Sequence, residues 1–263
     1  MHAGKPIVLP GQTAATAKMP IICTPLVGRT HAAVLAEVQR VAPKKPELLE
    51  WRVDFFEDIG NTAEVIKLAV DIRKAAGGIP VLFTRRSIRE GGEKIALDEA
   101  GVLAMYANVL ESRTIELIDY EMINEAAHIE QVRAQSKANG IQLVLSFHNF
   151  QATPSHMELC AKFALAQSLG GDIAKVAVMP QRLEDVLTVL SATLESSQEL
   201  NIPLISMSMG AYGSLTRLFG WTCGSAMSFA IGAAASAPGQ VPIEDLNTVL
   251  KILNKSLAPN KSQ

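Results

Sequence analysis

Cysteine is scarce in this chain and follows no disulfide or ligand pattern. The three cysteines, Cys23, Cys160 and Cys223, occur among 263 residues and form no CxxC pair. Three thiols cannot all pair within one chain, and their spacing matches no zinc finger or ribbon. The sequence therefore argues against a disulfide-stabilised scaffold and against structural zinc, and it predicts a reducing compartment, the cytoplasm.

An excess of charge of one sign is also missing. Lys and Arg number 24 against 26 Asp and Glu, which gives a net charge of −2 at pH 7. Proteins that bind nucleic acids usually carry a clear basic excess, because they neutralise phosphates. We therefore expect no nucleic-acid partner.

No strongly hydrophobic run marks a signal peptide or a membrane span. The first residues, MHAGKPIVLPGQ, lack an apolar core of signal-peptide length. Residues 218–243 carry no charge and are numerous enough to cross a bilayer, but they are rich in Gly, Ala and Ser and end in two prolines. We expect a buried strand, a turn and a loop there, and no membrane partner.

What the chain does contain is a repeated alternation of β-rich runs and amphipathic stretches. Eight such units match the size and pattern of a (β/α)8 barrel. An open doubly wound sheet is the alternative, but the segment after the first run, CTPLVGRTH, lacks the expected G-x-G-x-x-G. We predict an α/β protein that forms a single-domain TIM barrel over residues 1–263, with residues 1–19 as a short extension that caps the barrel bottom. The predicted strands are IICTPL, ELLEWRVD, PVLFTRR, ELIDYE, QLVLSFHN, DIAKVAVMP, PLISMSMG and WTCGSA.

The sixth run places a lysine among small and β-branched residues. Ala174, Val176 and Val178 suit the helix-facing side of a barrel strand, so Lys175 should point into the barrel. Burying an ammonium group costs several kcal/mol unless a partner compensates it. A lysine at this position therefore indicates a polar site inside the barrel.

Other ionisable residues share the inward orientation. Near the carboxyl ends of the strands they would reach the mouth, where barrels of this fold carry their active sites. One histidine or one ion pair alone would be structural, but several such groups in one interior indicate a functional site. The inward set comprises Glu50, Arg52 and Asp54 on the second strand, Thr84 and Arg86 on the third, Asp119 and Glu121 on the fourth, and Ser146 and His148 on the fifth.

A buried lysine beside a histidine suggests covalent chemistry on a carbonyl compound. We expect Lys175 to lie among other cations, where desolvation and like charge favour the neutral amine. A neutral amine attacks a ketone to give a Schiff base, and the iminium acidifies the neighbouring C–H group. His148, on the adjacent strand, could take that proton, and arginines could hold an anionic substrate. The residues alone thus indicate imine chemistry on a carbonyl acid.

Six stretches occur in a specific order along the chain: LLEWRVDFF, LFTRRSIREGGE, LVLSFHNFQATP, DIAKVAVMP, ISMSMGAYGSLTRLFG and CGSAMSFAIGAAASAPGQ. Together they resemble the type I 3-dehydroquinate dehydratase family over nearly the whole length. The resemblance implies a (β/α)8 barrel, usually a homodimer, with no metal and no organic cofactor. It implies syn elimination of water from a small molecule, 3-dehydroquinate, through a lysine Schiff base. The product would be 3-dehydroshikimate, in the shikimate pathway.

Carried over motif by motif, the resemblance implies a role for each site residue. Lys175 would form the Schiff base, His148 would act as general base and acid, and Glu90 would position the histidine. Arg85, which precedes Arg86, adds a cation either near the site or on the outer face. The implied substrate ligands are Glu50, Arg52 and Arg86 for hydroxyl groups, Arg217 for the carboxylate, Ser236 and Gln240 from a closing loop, and Met207, Met209 and Phe229 against the ring.

Three other functions are compatible with parts of the sequence. A class I aldolase is also a lysine–imine barrel, and GAYGS or CGS could hold the phosphate that its substrates often carry. A non-catalytic barrel that binds a sugar acid would not need lysine, histidine and glutamate together. A metal-dependent hydrolase lacks support, because the five histidines form no HxH or HExxH pair.

Overall fold

Eight parallel strands and eight helices alternate along the chain in a computed structural model that describes residues 4–257. Parallel strands need a crossover between neighbours, and a helix supplies it each time. The strands are β1 Ile21–Leu26, β2 Leu48–Arg52, β3 Val81–Thr84, β4 Leu117–Glu121, β5 Gln142–Asn149, β6 Ile173–Val178, β7 Leu204–Ser208 and β8 Met227–Ile231. The helices are α1 His31–Val41, α2 Thr62–Ala75, α3 Glu99–Ser112, α4 Ala126–Asn139, α5 His156–Ser168, α6 Leu183–Glu199, α7 Gly210–Phe219 and α8 Ile243–Leu257.

The sheet curls until its ends meet. Strands pair in sequence order from β1 to β7, and β8 pairs with β1 on the other side. The remaining gap closes where Leu204 of β7 bridges Ser225, and the Ala226 N–H donates to the Leu204 carbonyl at 2.7 Å. The expected (β/α)8 barrel is thereby confirmed, with a two-residue strand, Val241–Pro242, added beside β8.

The predicted position of the eighth strand was wrong. The run WTCGSA does not form it, because Gly220–Cys223 is a 3-10 turn that ends at Gly224. Gly224 has φ 107°, a conformation that favours glycine, and the strand begins only at Met227. The charge-free segment thus holds a turn, a strand and a loop, as expected. Among residues 4–257, none of the helices has the length and hydropathy needed to cross a membrane.

The two faces of the sheet bury different layers. The outer face packs on the helices, with Trp51, Phe83 and Tyr106 in edge-to-face contact. Inside the barrel, the lower layer is apolar and includes Leu48, Leu82, Leu117, Val144 and Ile173. Both faces of the sheet are therefore covered, as a parallel sheet requires.

The N-terminal extension closes the lower end of the barrel. Ile7 and Leu9 are buried in the same cluster as the lower inner layer. The Gln142 side chain donates from Nε2 to the Val8 carbonyl at 2.7 Å, which ties the extension to the start of β5. The predicted cap is confirmed for the described part of the extension, which covers the apolar lower layer of the barrel interior.

Candidate active site

One pocket lies at the carboxyl ends of the strands. Its wall combines ionisable side chains with apolar ones, as the binding sites of small molecules commonly do. The structure brings all twelve predicted site residues to its wall: Glu50, Arg52, Arg86, Glu90, His148, Lys175, Met207, Met209, Arg217, Phe229, Ser236 and Gln240. Gly91, Phe150, Ala177 and Ala237 complete the lining and were not anticipated.

Lys175 occupies the floor of this pocket and is buried, with 4% of its surface exposed. Its Nζ lies 3.1 Å from Asp119 Oδ2, 3.6 Å from Glu50 Oε1 and 4.8 Å from the ring centre of Phe229. The nearest charged groups are carboxylates, whereas we expected cations. Two carboxylates hold the positive end of Lys175 and compensate its burial.

On the neighbouring strand β5, Ser146 is the residue paired with Lys175. His148 lies two residues beyond Ser146, closer to the mouth of the barrel. Its Nδ1 is 2.8 Å from Glu90 Oε2, and its backbone N–H donates to the same oxygen at 3.1 Å. Glu90 comes from a 3-10 turn, Ile88–Glu90, that follows β3 and ends at Gly91. The Glu90 carboxyl group thus fixes the ring orientation, and Nε2 is the ring nitrogen that this contact does not use.

Burial and neighbouring charges determine the protonation of this pair. Burial, followed by the charges of Arg86 and Lys175, places the pKa of His148 well below its ordinary value. Burial and the charge of Glu121 raise the pKa of Glu90 to about 8, against the partial opposition of Arg86. The imidazole is therefore neutral near pH 7 and can accept a proton.

Arg86, which follows β3, connects the inward groups of β4 and β5. Its guanidinium donates to Asp119 Oδ1 at 2.8 Å, to Glu121 Oε1 at 3.0 Å and to Ser146 Oγ at 2.9 Å. Although burial opposes its charge, these carboxylates raise the pKa of Arg86 above its ordinary value. Burial likewise opposes the charge of Asp119, but Arg86 and Lys175 hold the pKa of Asp119 below its ordinary value.

The sequence predicted that Asp119, Glu121 and Ser146 point into the barrel, but it indicated no role for them. In the structure they are the direct partners of Arg86, and Asp119 also contacts Lys175. The signal for them was the two-residue alternation along β4 and β5. Their charge partners lie on other strands, so only the closed barrel identifies what they hold.

Arg217 lies near the carboxyl end of α7 and enters the pocket. It is buried, and no carboxylate of residues 4–257 lies within ion-pair distance of it. Its nitrogens lie 3.5 Å from the Phe229 carbonyl oxygen and 3.3 Å from that of Pro238. Burial lowers the pKa of Arg217 to about 10. A buried arginine of this kind is suited to an incoming anion.

The loop after β8 closes one side of the pocket. Within it, the Ser236 N–H donates to Gln240 Oε1 at 3.0 Å, and Gln240 Nε2 donates to Ser236 Oγ at 3.2 Å. Arg217 holds the same loop through the Pro238 carbonyl. The opposite wall is apolar and is formed by Met207, Met209 and Phe229.

Arg52, at the end of β2, and Arg85, just after β3, each form an ion pair with an acidic side chain. Arg52 makes a bidentate ion pair with Asp54, at 2.8 and 2.7 Å, and still lines the pocket. Arg85 points away from the pocket and pairs with Glu99 at 2.7 Å, beside a separate surface cleft. The extra cation, Arg85, therefore lies on the outer face and not near the site.

The raised pKa of Glu90 predicts a pH-dependent stability. Because the folded chain holds this proton up to about pH 8 and the ordinary value is 4.5, folding stability falls as the pH rises through that window. Glu90→Gln removes this titration. We expect its thermal midpoint to rise relative to the unaltered protein between about pH 5 and about pH 9. The exposed Glu130→Gln should show no such trend, and a difference that is constant with pH for Glu90→Gln would contradict the assignment.

Comparisons with known proteins agree with this geometry. The family model of type I 3-dehydroquinase matches residues 22–256. A 3-dehydroquinate dehydratase of Albidiferax ferrireducens is 62% identical over 262 residues, which cover 100% of this chain and 99% of that protein.

Solved structures show the same similarity. The 3-dehydroquinate dehydratase of Geobacillus kaustophilus is 46% identical with a TM-score of 0.90, over 93% of this chain and 94% of that one. A type I 3-dehydroquinate dehydratase from Clostridium difficile, described with covalently modified comenic acid, is 35% identical with a TM-score of 0.88, over 91% and 94%. With the family model matched over most of its length, the chain belongs to the type I 3-dehydroquinase family.

Proposed function

We propose that this chain eliminates water from 3-dehydroquinate to give 3-dehydroshikimate, through a Schiff base on Lys175. The observation that carries the proposal is the buried Lys175 amine, which shares one small pocket with a histidine held by Glu90. Family membership supports the reaction, and the covalently modified comenic acid described with the Clostridium difficile relative supports covalent chemistry in this family. The shikimate pathway is the metabolic place of this reaction.

The pocket wall suits the groups of this substrate. The carboxylate would meet Arg217, the buried cation that has no acidic partner among residues 4–257. The hydroxyl groups would contact polar side chains, and the ring would lie on the apolar wall. The proposed hydroxyl ligands are Glu50, Arg52, Arg86, Ser236 and Gln240, and the proposed ring contacts are Met207, Met209 and Phe229.

The first step forms the imine. The Lys175 ammonium first gives up a proton, and the neutral Nζ adds to the C3 ketone. The carbinolamine then takes a proton back as its hydroxyl group leaves as water, which gives the iminium. The iminium carries its positive charge where the ammonium was, beside Asp119 and Glu50. These carboxylates are already oriented before the reaction, so stabilising the iminium requires little reorganisation of the site.

The second step is the elimination. His148 Nε2 removes a proton from C2, which gives an enamine, and the C1 hydroxyl group then leaves with a proton. The same His148 would supply that proton, so both transfers occur on one face of the ring and the elimination is syn. Water finally hydrolyses the imine and frees Lys175. The lowered pKa of His148 suits the first of these transfers.

The alternative, a class I aldolase, gains no specific support from the site. Some solved structures of similar fold are sugar-phosphate enzymes. One of them, a 3-hexulose-6-phosphate synthase, has 12% identity and a TM-score of 0.58, and it shares only the fold with this chain. An absorbance assay for the conjugated enone acid formed from 3-dehydroquinate distinguishes dehydration from aldol cleavage.

Borohydride reduction tests the role of Lys175. Incubation with 3-dehydroquinate and borohydride should fix the substrate on Lys175, and peptide mass spectrometry should locate the adduct there. Lys175→Ala should form no adduct and lose turnover, because it lacks the nucleophile. Lys137→Ala, at an exposed position on α4, should react like the unaltered protein. An adduct on a different lysine would refute the assignment.

His148→Ala tests the proton transfers separately from imine formation. This variant should still be trapped on Lys175 by borohydride, whereas kcat should fall by about 10²–10⁴-fold, the usual contribution of a positioned acid–base group. His31→Ala, on α1 outside the pocket, should keep its turnover. Loss of trapping in folded His148→Ala would show that the histidine acts earlier, in imine formation.

We also propose that the chain forms a homodimer in the cytoplasm. The neighbouring helices α6 and α7 expose large apolar side chains, and a patch of this kind commonly marks a protein interface. Its members are Leu183, Leu187, Leu194, Tyr212, Leu215 and Phe219. The cytoplasm is supported by three cysteines that all remain free thiols.

The dimer proposal predicts a change in mass on sedimentation. The unaltered chain should sediment as a dimer, and Leu187→Lys should shift it toward the monomer because a charge would be buried at the patch. Val70→Lys changes a similarly exposed apolar residue on α2 and should stay dimeric. A monomeric unaltered chain, or equal behaviour of the two variants, would contradict the proposed interface.

A further inference from the structure

Three side chains of metal-ligand type meet on the outer surface of the barrel, away from the pocket. His156 and Cys160 lie on α5, and Glu195 lies on the adjacent α6. Cys160 Sγ is 3.9 Å from His156 Nδ1 and 3.8 Å from Glu195 Oε1, and His156 Nε2 is 3.5 Å from Glu195 Oε2. In the described part of the chain, this is the one group of three His, Cys, Asp or Glu side chains close enough to share an ion.

Local structure places these residues with little freedom. His156 is the first residue of α5, directly after Ser155, whose capping box with Glu158 fixes the start of the helix. Cys160 follows four residues later and therefore lies on the same face, one turn along. Cys160 is half-buried between the two helices, and its Sγ also lies 3.9 Å from the Ala192 carbonyl of α6.

The ligand chemistry fits zinc. A thiolate, an imidazole and a carboxylate are each common zinc ligands, and tetrahedral geometry is usual. With a Zn–S distance of about 2.3 Å and Zn–N and Zn–O distances of about 2.0–2.1 Å, ligand atoms lie about 3.3–3.5 Å apart. A single ion would use one nitrogen of His156 and one oxygen of Glu195, and ligand atoms chosen in this way lie within 4.8 Å of one another. Rotation of the His156 and Glu195 side chains would bring them to the shorter separations of a zinc site.

We propose that His156, Cys160 and Glu195 bind one Zn²⁺ ion, with water in the fourth position. Binding breaks the S–H bond of Cys160, forms the S–Zn bond, and releases the proton to solvent. The ion would join α5 to α6, the helices that follow the strands of His148 and Lys175. Because none of the three ligands lines the catalytic pocket, the site would be structural.

A surface ion pair is the simpler account of part of this geometry. The contact between His156 and Glu195 could be an ordinary ion pair, which would contribute little to stability. That account gives Cys160 no function and predicts no metal binding that depends on its thiol. The thiol therefore distinguishes the two accounts.

Cobalt binding to the metal-free full chain provides the test. Co²⁺ should bind one per chain and give the thiolate-to-metal charge-transfer band and the visible bands of a four-coordinate site, and Zn²⁺ should remove them by displacement. Zn²⁺ should also raise the thermal midpoint of the protein, since an ion that binds only the folded state stabilises it. Absence of the charge-transfer band would refute the proposal.

Matched variants separate the proposed site from other thiols. Cys160→Ser should lose the charge-transfer band and weaken zinc binding by at least about tenfold, since even residues that only support a ligand contribute this much. Glu195→Gln should weaken binding while keeping the band. Cys223→Ser removes another half-buried thiol and should behave like the unaltered protein. A band that survives in Cys160→Ser, or an equal zinc-induced midpoint shift in Cys160→Ser and Cys223→Ser, would overturn the assignment.

Discussion

The polar half of the barrel depends on one buried cluster of charges in which Arg86 and Lys175 share Asp119. Each cation is deeply buried, and each would cost several kcal/mol without its carboxylates. The sharing also fixes geometry, because Asp119 contacts two cations at once and neither can move independently. The amine that the proposed chemistry requires is therefore positioned by the same contacts that make its burial tolerable.

The barrel separates stability from chemistry along its axis. The lower layer is apolar and is sealed by Ile7 and Leu9 of the N-terminal extension. The upper layer holds the charged groups and opens to the mouth, where Arg217 and the loop after β8 complete the pocket. The closed lower end gives the polar groups a water-poor floor, and electrostatic interactions are stronger in such surroundings than in water.

Residues outside the strands show the limit of pattern analysis. Glu90 follows β3 in a 3-10 turn, and Arg217 projects from α7, so neither position has the two-residue alternation that revealed Lys175 and His148. Their expected roles came from the resemblance of their motifs. The sequence pattern likewise did not reveal the cluster of His156, Cys160 and Glu195. The first two residues are four positions apart on one helix, but the third comes from another helix.

By itself, the sequence determined the class of fold and the inward set. Eight strand–helix units imply a closed barrel, and strict alternation along a strand decides which side chains face inward. Only the tertiary structure decided the partners of those side chains. It placed carboxylates beside Lys175 where cations were expected, and it began the eighth strand beyond Gly224. The physical reason is that alternation acts along one chain segment, whereas ion pairs and barrel closure depend on contacts between segments distant in sequence.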